Sequence, residues 1–79
     1  MAASATAFAP VEQLAEALFV SPLQPSDRPS AAQVREAIVA SLRAYGGVDG
    51  CAVQCAEEFG EHPEVAVMRM RWALSMAAA

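Results

Sequence analysis

Residues 30–47 read SAAQVREAIVASLRAYGG, and the spacing inside this stretch decides the fold class. Val34, Ile38, Leu42 and Tyr45 recur at intervals of three and four, which puts them on one face of an α-helix with Gln33, Glu36 and Arg43 opposite. Ser30 and Gln33 stand at the spacing of a reciprocal N-terminal cap. Gly46 and Gly47 follow the last periodic residue, and glycine enters the left-handed conformation that ends a helix without a β-carbon clash. Period, start signal and stop signal agree on a helix over 30–45.

Toward the N-terminus, Pro22, Pro25 and Pro29 each fix their own φ and disfavour helix in the residue before, so residues 20–29 read as an extended strap. Leu23 is expected to tuck against the domain. The Pro22-Leu23-Gln24-Pro25 spacing also matches a groove-docking proline motif, although any proline-rich connector matches it equally. A further helix is expected over 10–19. Proline opens it at a tolerated position, Glu12 and Glu16 face outward, and Val11, Leu14, Ala15 and Leu18 form one stripe. Residues 1–8 are expected to fray, with Phe8 docking toward Val11.

Toward the C-terminus, Asp49 is a cap for a helix over 49–59, which would turn Ala52, Cys55, Ala56 and Phe59 inward and leave Gln54, Glu57 and Glu58 in water. Gly60 is its expected stop. Pro63 opens a last helix over 63–77, with Glu61 and Glu64 near the positive end of its dipole. The expected fold is therefore all-α, a small four-helix bundle-like single domain over 1–79.

The composition supports folding but limits the core. Hydrophobic residues make up 56% of the 79 and charged residues 18%, which excludes the polar make-up of a disordered chain. Close to half of those hydrophobic residues are alanine, so the large side chains available to a core are few, and a chain this short ordinarily needs a staple, a metal or a second subunit. The net charge is −4, and all five basic residues are arginine. Such a balance opposes direct nucleic-acid contact, which needs a basic face to displace counterions from phosphates. The Gly46–Gly50 turn resembles a helix-turn-helix corner in outline, yet its second helix would offer Gln54, Glu57 and Glu58 to phosphates. Apolar runs such as 17–20 and 65–68 fall far below the ~20 residues of a membrane span. With no basic leader ahead of an apolar run, the expected location is the cytoplasm, and alanine and arginine enrichment without lysine suggests a bacterial source.

The last helix is the most informative segment. At about 100° per residue, Val65, Met68, Trp72 and Met76 share one stripe, while Val67, Met70 and Leu74 lie nearly opposite. Arg69 and Arg71 fall in the gaps, where their stems can lie on apolar surface and their guanidinium groups stay wet. A helix apolar on two sides is expected to be covered on both, once by its own subunit and once by another. The expectation is a homodimer with a two-fold interface built from Val67, Met70, Leu74, Arg71 and Trp72, or another protein on the same stripe.

Candidate chemistry is sparse. Cys51 and Cys55 lie one turn apart, and a disulfide inside one regular helix would need distorted geometry, so reduced, packed thiols are expected. Cys51, Cys55 and His62 are nevertheless the residues from which a thiolate metal or redox site would be assembled. His62 has no evident nucleophile or orienting acid beyond ordinary neighbours such as Glu58, Glu61 and Glu64. No phosphate loop or nucleophile elbow is present. The functional expectation is a non-catalytic interaction module without a cofactor, an adaptor or regulator of a larger assembly that self-associates through its last helix. The alternatives are a thiolate protein built on Cys51 and Cys55, and an accessory subunit of an enzyme.

Overall fold

The computed structural model describes residues 10–79, and among them the chain forms four α-helices and no strand. The helices are α1 (Val11–Phe19), α2 (Ala31–Tyr45), α3 (Val48–Glu61) and α4 (Pro63–Ala78). The fold is a small all-α bundle, as the periodicity requires. The fraying of residues 1–8 and the docking of Phe8 lie outside the described residues.

The shortest helix holds the centre. α1 touches all three others, most extensively α4, and buries Ala15, Ala17, Leu18 and Phe19. Three consecutive buried positions, 17 to 19, mean that α1 is enclosed on more than one side at its C-terminal end. Around it gather Val34 and Ile38 from α2, Cys51 and Cys55 from α3, and Ala66 and Ala73 from α4. Four of these ten buried apolar residues are alanines, so alanine builds much of the core instead of merely diluting it. Small side chains let helix axes approach closely, which recovers through dispersion contact part of what they lack in area. Phe19 stacks on Phe59 of α3 with ring centroids 5.8 Å apart.

Local rules account for the boundaries. Ser30 Oγ accepts from the Gln33 N–H at 3.1 Å while the Ser30 N–H donates to Gln33 Oε1 at 2.7 Å, closing the expected reciprocal cap. Gly46 has φ +80° and ends α2, and the Gly47 N–H donates to Leu42 O at 2.7 Å. At the next corner Gly50 is required for space. A β-carbon there would run into the Tyr45 carbonyl oxygen.

Several expectations are corrected. α3 starts one residue before Asp49, with Gly47 at the cap position and Asp49 inside the first turn, where its charge favours the helix dipole. Gly60 does not stop α3, which runs on to Glu61; the hinge is His62, whose N–H donates to Glu58 O and whose carbonyl accepts from the Ala66 N–H. Pro63 forces that break, because its ring clashes with a continuing helix. On α3 the inward line is Cys51 and Cys55, with Ala52 and Phe59 half-buried and Ala56 exposed. Tyr45 is largely exposed, and Ser41 takes the buried position on that turn of α2. The 20–29 strap is not extended throughout. Pro25–Asp27 form a single 3-10 turn closed by the Gln24 N–H on Asp27 Oδ2 at 2.8 Å, and Arg28 follows in the left-handed region at φ +48°. Leu23 packs against the core as expected.

Candidate functional site

α4 is apolar nearly all round, so its burial is decided by packing rather than by contrast between faces. The line that turns inward is Ala66 and Ala73, a spacing of seven that returns to the same side of the helix. On the same wheel both apolar stripes lie about 90° from that line, as flanks to the core contact. From Met70 onward the flanks find partners: Met70, Trp72, Leu74 and Met76 are half-buried and packed against the core. The large apolar residues before Met70 have none. Val65 is 67% exposed, Met68 72% and Val67 41%. Of the five residues expected at an interface, Met70, Trp72 and Leu74 therefore share their surface with the core, and Val67 and Arg71 face outward.

Met68 was expected on a covered stripe and is the most exposed large apolar residue described. The signal that would have found this is the Ala66, Arg69, Ala73 series. An alanine line at helical spacing competes with the larger residues for the inward direction wherever a neighbouring helix approaches closely.

Arg69 corrects a second expectation, for its side chain is half-buried and its guanidinium is bound to backbone carbonyls. It donates through Nε to Phe19 O at 2.8 Å, and through one terminal nitrogen to Ser21 O at 2.9 Å and Leu23 O at 2.8 Å. The C-terminal end of α1 leaves carbonyls without intrahelical partners, and a cation there also meets the negative end of the dipole. The same group lies 5.7 Å from the Phe19 ring centroid and 5.0 Å from that of Trp72. Burial lowers its pKa, opposed by the Cys55 thiol, yet an arginine keeps its charge at any physiological pH. Arg69 thus ties the end of α1 and the start of the strap to α4. Its role is structural.

The two cysteines are free thiols. Cys51 Sγ donates to Ser41 O at 3.7 Å and Cys55 Sγ to Glu16 O at 3.5 Å. Burial, reinforced by the Glu16 charge, raises both pKa values, that of Cys55 to about 12. Metal ligation and nucleophilic redox chemistry both need the thiolate, which these surroundings disfavour. His62 is exposed at the α3–α4 hinge. Among the described residues no three His, Cys, Asp or Glu side chains gather closely enough to hold a metal ion. No helix among them is long and apolar enough to cross a membrane.

A groove of about 450 Å³ runs between α1, α2 and the end of α4, walled by Leu14, Val34, Ile38, Val39 and Met76, with Arg35 beside them. Its volume suits a small ligand, but among the described residues Arg35 is the only side chain in its wall with a charged group, and recognition ordinarily needs several polar groups converging. The outward side of α4 is the better-defined surface. Comparison of the chain with protein-family models, curated proteins and solved structures finds no match in any of the three.

Proposed function

We propose that the protein is a non-catalytic interaction module that self-associates through α4 and acts as an adaptor or regulator within a larger assembly. One observation carries the reading: α4 turns alanines inward and leaves Val65, Val67 and Met68 uncovered on its first turns. Exposed large apolar side chains grouped on one element favour a partner, because covering them releases ordered water at roughly 25 cal/mol per Å². A homodimer is the simplest cover, since a two-fold contact needs one patch used twice. The burial of Cys51 and Cys55 and their contacts with backbone carbonyls favour packed thiols over a thiolate metal or redox site. Cysteines kept as free thiols suit a reducing compartment, which favours a cytoplasmic location.

Sedimentation equilibrium across micromolar concentrations tests the proposal. The expected result is a concentration-dependent mass above 8.3 kDa that returns to the monomer in Met68→Glu. A wild-type chain that stays at 8.3 kDa across the whole micromolar range refutes self-association.

A further inference from the structure

The outward side of α4 carries a row that the interface expected from sequence did not include as a unit: Glu64, Val67, Met68 and Arg71. Their spacing of three, four and seven puts them within an arc of about 100°, with Val67 and Met68 at the outer edges of the two stripes, on the side away from the buried Ala66 and Ala73, and all four are exposed. Read along the helix the row is acid, apolar, apolar, base. Such an order is self-complementary when reversed.

We infer that two copies pair α4 against α4 in antiparallel sense about a two-fold axis between Val67 and Met68, so that Glu64 of each copy meets Arg71 of the other. This rests on self-association through α4 and specifies its register. In an antiparallel pair centred there, 64 faces 71, 67 faces 68, and the reverse contacts follow by symmetry. Four apolar side chains then form a centre bracketed by two acid–base pairs, the arrangement of a desolvated middle with a charged rim. A parallel pair would oppose Glu64 to Glu64 and Arg71 to Arg71.

Charge makes this local match necessary. Each copy carries −4, so two copies repel at long range, and a contact needs compensation where the surfaces meet. Among the described arginines, Arg69 is committed to carbonyls inside the protomer, whereas Arg71, two residues on, points to solvent. The overlap spans about ten residues, roughly 15 Å of helix, which is less than the ~800 Å² per partner of a long-lived complex requires. The expected pairing is reversible, with a dissociation constant in the micromolar range.

The test uses the full chain and charge reversal. Glu64→Arg and Arg71→Glu, each alone, should weaken the dimer roughly tenfold or more, because symmetry converts both attractive pairs into repulsive ones. The two variants mixed in equal amounts should form a heterodimer at near wild-type affinity, and so should the double variant Glu64→Arg/Arg71→Glu with itself. Circular dichroism of each variant checks that the helices persist. If Met68→Glu abolishes the dimer while both single reversals leave the dissociation constant unchanged, this register is overturned and self-association through α4 stands. If the single reversals weaken the dimer but the double variant does not recover, the antiparallel pairing is overturned. A wild-type chain that never dimerises overturns both.

Discussion

Replacing Arg69 with methionine should cost more than the same replacement of Arg71 or the truncation of any exposed side chain on α4. Methionine keeps most of the stem's volume and removes the donors, so the carbonyls of Phe19, Ser21 and Leu23 lose partners together. Phe19 and Ser21 are buried, where water cannot readily replace the guanidinium. At about 1 kcal/mol net per hydrogen bond, and about 1 kcal/mol for contact with the Phe19 and Trp72 rings, the gross loss is about 4 kcal/mol. Releasing the guanidinium from a site that disfavours its charge returns part of this, which brings the expected figure to about 3 kcal/mol. A domain of this size holds only about 4–12 kcal/mol in total, so the variant should be marginal. The assay is urea unfolding followed by circular dichroism at a concentration low enough to keep the chain monomeric, with the slope checked for constancy. Thermal unfolding should show a fall of roughly 12 °C or more. Arg69→Lys should recover only part of the loss, because one ammonium lacks the planar fork that serves carbonyls on both sides. Arg71→Met is the control: it removes the same charge from the same helix but in solvent, and should change stability by less than about 0.5 kcal/mol. Arg69→Met within about 1 kcal/mol of wild type would refute the view that this residue ties α1 to α4.

Gly50→Ala should destabilise by about 1–3 kcal/mol, because its β-carbon meets the Tyr45 backbone, whereas Gly60→Ala, helical and with open space around it, should stabilise by up to about 1 kcal/mol; equal effects in denaturant melts would contradict the corner geometry. Alkaline pH should unfold the chain through its thiols. The folded-state pKa of Cys55 lies near 12, above its ordinary 9.0, so its contribution is complete below pH 9 and is lost as pH rises from 9 toward 12, at up to about 1.4 kcal/mol per pH unit. Cys55→Ala should flatten that decline, and a decline equally steep in the variant would place its origin elsewhere.

The four helices were legible in sequence because the signals that begin and end them are local. Ser30 with Gln33, the glycine pair at 46 and 47, and Pro63 each act within a turn of their own position, and the structure shows each of them at a boundary. The limit of α3 slipped at Gly60, an exposed helical glycine whose cost within a helix is only about 1 kcal/mol, so the helix runs on to the break that Pro63 imposes. The interior of α3 was misread by one position. Cys51 and Ala56 differ little in hydropathy, and the neighbouring surface that decides between them, with Ser41 of α2 against Cys51, appears only after folding.

What the sequence determined alone was the order and approximate limits of the four helices among the described residues, and a last helix too apolar for a single wet face. What tertiary structure decided was which way that helix turns. A segment apolar around most of its circumference has little angular contrast to orient it. The choice fell to how closely α1 and α4 can approach, which favours Ala66 and Ala73 over larger neighbours, and to the unpaired carbonyls at the end of α1, which hold Arg69 inside. Val67 and Met68 face outward as the geometric consequence of those two contacts, because one helix cannot turn both sides toward the same neighbour.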